Sequence, residues 1–169
     1  MNNIVIKRLG LLLLLMLLHR SGLANSVDID VTIPPLDVAT YHRPYVAVWL
    51  ETPQRRGVHT LAIWHEKDDW LKDLRQWWRK LGRNKQTSYD AASGATRRPG
   101  HYHIHWDGRD STGATVEKGD YYLLFEAARE AGGREFIRQK IVLGEDAPQR
   151  YELHGNIEFG SILININTR

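Results

Sequence analysis

The chain has 169 residues, no cysteine, six tryptophans and a formal net charge of +3. That length suits one ordinary domain with a real core, and the missing cysteine excludes disulfides, thiolate metal sites and iron–sulfur ligation. Lys7, Arg8 and Arg20 fall in the first 24 residues, which hold no acid; beyond them 20 bases face 20 acids, so the basic surplus of a nucleic-acid-binding face is lacking.

The chain opens with a short basic stretch ending in Lys7 and Arg8, followed by Leu9 to Leu18, almost pure leucine and uncharged. A bilayer-spanning helix needs about 20 apolar residues, so this run is too short to be one. A basic start, a short apolar core and small residues at Gly22 and Ala24 make a secretory signal peptide. Residues 1–24 are expected to be removed after Ala24, leaving residues 25–169 as a single periplasmic domain.

Val27, Ile29, Val31 and Ile33 alternate with polar residues, the period of a half-buried strand that Pro34 ends. Tyr45 to Leu50, with Tyr45, Ala47 and Trp49 on one face, and Val58 to Trp64 form a hairpin around Pro53 to Gly57. Trp70, Leu71, Leu74, Trp77, Trp78 and Leu81 then fall on a helical stripe. The pattern predicts one amphipathic helix, capped by Asp68 or Asp69 and closed at Gly82. Asn84 to Gly100 lacks periodicity and reads as a loop. The β pattern returns at His101 to Trp106, at a hairpin of Asp120–Arg129 with Arg134–Leu143, and at Tyr151–Phe159 with Ser161–Asn167. Seven or eight short strands separated by turns predict a mainly β antiparallel sandwich with one inserted helix.

Motifs of catalysis are absent. Ser93 is not in a G-x-S-x-G elbow, and no phosphate-binding glycine loop or H-E-x-x-H spacing occurs. His101, His103 and His105 share one strand face, spread over about 13 Å, so two could chelate a metal but three rarely converge. They read as an exposed polar strand face, and no metal site is assigned. Lys72, Arg75, Arg79 and Lys80 read as the solvated side of the helix.

Three resemblances carry the reading further. Trp106 to Tyr121 follows W-D-G-x-D-x-x-G-x-x-V-x-x-G-x-Y, which resembles the immunoglobulin-like module of flagellar hook-capping proteins. Asp107 and Asp110 suit a tight turn through bonds to backbone amides, and Gly108, Gly113 and Gly119 suit positive φ. The resemblance implies an immunoglobulin-like sandwich. Tyr41–Trp49, Trp70–Arg79 and Ser93–Gly100 resemble a family of predicted periplasmic proteins, domain of unknown function 2271. That resemblance covers nearly the whole mature chain and implies neighbours among extracytoplasmic flavin-transfer and membrane redox components.

Asp90 to Thr96 reads D-A-A-S-G-A-T. It is similar to the D-x-x-S/T-G-A-T acceptor motif of periplasmic flavin transferases, which cleave FAD and attach FMN through its phosphate to the threonine hydroxyl. By position, Thr96 would carry FMN, and Asp90, Ser93, Gly94 and Ala95 would form the recognition sequence. Gly94 and Ala95 keep the flanks narrow, and Arg97 and Arg98 stand beside the phosphoester. Trp64, Trp70, Trp77, Trp78 and Trp106 are the aromatic residues from which a shelf for the flavin ring could be drawn. The resemblance implies a covalent FMN carrier, not itself an enzyme, that is modified by the flavin transferase and exchanges electrons with a membrane-bound redox partner. The alternative is a cofactor-free binding or adaptor module that docks a partner through a sheet edge or the helix.

Overall fold

The computed structural model describes residues 25–83 and 89–168. The expected signal peptide and its cleavage after Ala24 lie outside the described residues. Nine strands are found among those described: β1 (Ser26–Ile33), β2 (Tyr45–Glu51), β3 (Gly57–His65), β4 (Ser93–Ala95), β5 (Gly100–Trp106), β6 (Gly119–Ala128), β7 (Arg134–Leu143), β8 (Gln149–His154) and β9 (Ser161–Asn167). They build a four-stranded sheet, β5-β1-β9-β8, and a five-stranded sheet, β4-β3-β2-β6-β7, stacked as a sandwich.

The first sheet follows its alternation directly. Val27, Ile29, Val31 and Ile33 of β1 point inward beside Ile104 of β5 and Ile162, Ile164 and Ile166 of β9. The second sheet is covered on both sides, which is why β2 reads as an almost unbroken apolar run. Val46, Val48 and Leu50 face the first sheet, while Tyr45, Ala47 and Trp49 face Leu71, Leu74, Trp77 and Leu81 of the helical segment. A register shift in the β2–β3 ladder pairs Val48 with Ala62 and Trp49 with Thr60. This bulge turns both Leu61 and Ala62 toward the core.

Three expectations are corrected. The helix is not one amphipathic α-helix; it is a 3-10 turn at Asp68–Asp73, a single α turn at Arg75–Trp77 and a π turn at Trp78–Gly82. The apolar stripe is right, but the backbone breaks at Leu74, whose ψ of 68° is not helical. The break has a cause. The buried carboxylate of Glu126, on β6, accepts from Gln76 N at 3.0 Å and Trp77 N at 2.9 Å, while Trp77 Nε1 donates to Thr60 at 3.0 Å. Neither Asp68 nor Asp69 caps the start, where Lys67 stands without a side-chain cap. The run does end at Gly82, the last residue of the π turn, where a Cβ would come within 2.5 Å of the Trp77 ring.

The sandwich is also not wholly antiparallel. Part of the expected loop, Ser93–Ala95, forms β4 and pairs in parallel with Ile63–His65. Finally, the strand expected over Tyr151–Phe159 stops at His154. The Glu135 carboxylate takes the amides of Asn156, Ile157, Glu158 and Phe159, so those donors never reach a neighbouring strand.

Candidate functional site

Trp64 and Tyr102 set the frame of the Asp90–Thr96 segment. Trp64 lies near the end of β3, beside the edge strand β4 of its sheet, and Tyr102 lies on β5, the edge strand of the other sheet. Their rings meet edge to face at 5.5 Å. The chain leaves β4 at Ala95 and crosses through Thr96 to Pro99 into β5, closing this edge of the sandwich. Over the gap lies the Arg97 guanidinium, 5.4 Å from the Trp64 ring centre and 5.5 Å from that of Tyr102. The Tyr102 hydroxyl donates to Arg98 O at 2.7 Å, which pins the crossing.

Within the segment, Asp90 opens a 3-10 turn running to Ala92. Asp90, Ser93 and Ala95 are exposed and Gly94 is half-buried. A Cβ at Gly94 would sit in ordinary contact, 3.7 Å from Trp64 Cδ1 and from Arg97 Nη2, so Gly94 lies against the Trp64 ring. Thr96 is folded inward, only 7% exposed. Of the five candidate tryptophans, Trp77 is fully buried, while Trp70 and Trp78 are half-buried against the helical cluster. Trp64 is the one that touches the segment and Arg97.

His65 is the residue that the sequence reading missed. Its Nε2 stands 2.8 Å from Ser93 Oγ, and its Nδ1 is 3.4 Å from an oxygen of Asp68, whose side chain is 88% exposed. This is the order of an acid–histidine–serine relay with a loose acid end: the Asp68 contact is not aligned, and Nδ1 has no hydrogen-bond partner among the described residues. Ser93 sits on a paired edge strand and lacks the strained elbow that exposes a nucleophile. What the contact does achieve is to clasp β4 to β3. No local pattern announces it, since the two residues are 28 positions apart.

Beyond Ala92 opens a cleft of about 430 Å³, a volume in the range of small-molecule sites. Tyr89, Ala91, Ala92, His59, Trp106 and Arg109 are among the residues that line it. The His59 and Trp106 rings lie nearly parallel at 6.0 Å. Burial holds the His59 imidazole below its ordinary value of 6.5, against the raising pull of Asp110 and Asp107. The far rim is the Trp106–Gly113 turn, built as its residues suggest. Asp107 accepts from Arg109 N, and Asp110 accepts from Thr112 N and Ala114 N; Gly108 and Gly113 both have φ of 83°.

A family model described as "Predicted periplasmic protein (DUF2271)" matches residues 26–161. No curated protein and no solved structure matches the chain. Among the described residues no helix is long and apolar enough to cross a membrane.

Proposed function

The chain belongs to the DUF2271 family of predicted periplasmic proteins, and from that premise we propose that it is a redox carrier holding FMN on Thr96. The observation that supports this is the position of the acceptor-like segment: a three-residue edge strand beside Trp64, Tyr102 and Arg97. In this reading Thr96 Oγ1 attacks the phosphorus on the FMN side of FAD inside the flavin transferase. It loses its proton, the pyrophosphate P–O bond breaks and AMP leaves. Arg97 answers the phosphoester charge, and the cleft beyond Ala92, lined in part by Leu61, Tyr89 and Trp106, offers room for the flavin ring. FMN supplies the electron chemistry, exchanged with a membrane-bound redox partner; the domain itself performs no catalysis.

The burial of Thr96 adds a condition to this reading. β4 must leave the sheet edge before the hydroxyl can enter another protein's site. A short parallel edge pairing is well suited to that, because few backbone bonds hold it. The same burial favours a second reading, a cofactor-free binding module in which Asp90–Thr96 only closes the sandwich. We further read the sandwich as immunoglobulin-like, supported by the Trp106–Tyr121 turn and its positive-φ glycines.

One experiment separates the two functions. Purified protein is incubated with FAD and a flavin transferase that works on another acceptor, and intact mass is recorded. The carrier reading expects one FMN per chain, abolished in Thr96→Ala at an unchanged melting temperature. No adduct on the native chain leaves the binding module standing.

A further inference from the structure

The solvent face of the first sheet carries a cluster that the carrier reading does not use. On β1, Asp28, Asp30 and Thr32 stand directly opposite His105, His103 and His101 of β5. His101 meets Thr32 at 3.0 Å, His103 Nδ1 meets Asp30 at 2.9 Å, and His105 Nδ1 meets Asp28 Oδ1 at 2.7 Å. One contact breaks this one-to-one ladder: His103 Nε2 also reaches Asp28 Oδ1, at 3.3 Å. One ligand atom each from Asp28, His103 and His105 thus falls within 4.8 Å of the others.

We propose that Asp28, His103 and His105 bind a divalent transition-metal ion. Ligand atoms about 2.0–2.2 Å from a tetrahedral metal lie about 3.3 Å from one another. The contacts of 3.3 Å and 2.7 Å around Asp28 Oδ1 are close to that spacing, and the two histidine nitrogens lie within 4.8 Å of each other, so side-chain rotation would draw the three around an ion. Three histidines along one strand could not converge in this way; the third ligand comes instead from the neighbouring strand.

The surroundings fit the same role. Asp30 accepts from His103 Nδ1, which fixes the tautomer and leaves the Nε2 lone pair directed at Asp28, the arrangement common behind metal-bound imidazoles. Asn167 donates to Asp28 Oδ2 at 2.8 Å, which holds the carboxylate with Oδ1 toward both histidines; a bound ion would take the place of the proton that His105 Nδ1 shares with Oδ1, releasing it to solvent. Two imidazoles and one carboxylate favour borderline ions such as Cu²⁺ or Zn²⁺ over Ca²⁺ or Mg²⁺, with Cu²⁺ the tighter of the two. His103 and His105 are exposed, which gives the ion an open path and leaves its remaining positions to water.

The test uses untagged, chelator-stripped protein titrated with Cu²⁺ and, separately, Zn²⁺ by calorimetry. Cu²⁺ electron paramagnetic resonance reads the nitrogen ligands. The expected result is one equivalent of metal with two imidazole nitrogens in the copper spectrum. His103→Gln and His105→Gln should each weaken binding at least tenfold, Asp30→Asn about 10–100-fold because its carboxylate orients the His103 ring, and His101→Gln not at all. Each variant's melting temperature without metal serves as the folding control. No stoichiometric binding of either ion, or binding that survives the His103 and His105 substitutions, would overturn the proposal and leave the cluster as paired surface charges.

Discussion

On the proposed carrier reading, replacing His65 by alanine should speed FMN attachment to Thr96, although His65 lies outside the acceptor-like segment. The His65–Ser93 bond of 2.8 Å clasps β4 to β3. A hydrogen bond of this kind contributes about 1 kcal/mol net. Removing it raises the population of the detached β4 by roughly fivefold, because 1.4 kcal/mol corresponds to a factor of ten at 25 °C. If opening precedes transfer and the open form is scarce, the initial rate of flavinylation at subsaturating transferase rises by the same factor. The assay is FMN incorporation followed by intact mass, with Thr96→Ala as the blank. Amide exchange at Gly94 and Ala95 provides an independent measure of opening. Faster exchange with an unchanged or slower rate of modification would refute the reasoning, because opening would then not be on the path to transfer.

The other predictions concern the scaffold. Glu126→Ala should cost about 3–4 kcal/mol, because the buried Trp77 amide, the part-buried Gln76 amide and part of the Arg134 charge lose their partner. In a domain of this size that lowers the melting temperature by roughly 10 °C, and a loss under about 3 °C would show that Glu126 does not hold the helical turn. Glu135 gives the fold an acid-sensitive point. Burial pushes its carboxyl up, but the amides of residues 156–159 together hold it below its ordinary 4.5. The native chain therefore keeps this group ionised where the unfolded chain takes up a proton. Its contribution is complete above about pH 5 and lost as pH falls through the depressed native value. Denaturant unfolding of Glu135→Gln should show a shallower loss of stability below pH 5 than the native chain; equal slopes would exclude the mechanism.

Much of the sandwich was legible before folding was considered. β1 and β9 alternate because each has one face in the core and one in water. β2 reads as continuous because both its faces are covered, and Asp107, Asp110 and the turn glycines act within their own few residues. The helical stripe was legible for the same reason, since its apolar spacing records which residues face inward. Its backbone type was not. Glu126, 50 positions from Gln76, supplies the carboxylate that breaks the helix at Leu74. β4 left no trace either, because Ser93, Gly94 and Ala95 are too small and too few to carry a period.

The candidate sites divide along the same line. The sequence alone marked the Asp90–Thr96 segment, through its resemblance to an acceptor motif, and the His101–His105 face, through its alternation. Only the tertiary structure turned Thr96 inward, set His65 against Ser93 and brought Asp28 to His103 and His105. Alternation, turn formation and small-residue motifs are decided within a few bonds of each residue, so the sequence displays them. Which side chain stands across the ladder depends on register between strands about 75 residues apart, as for β1 and β5, and that is settled only when whole sheets pack.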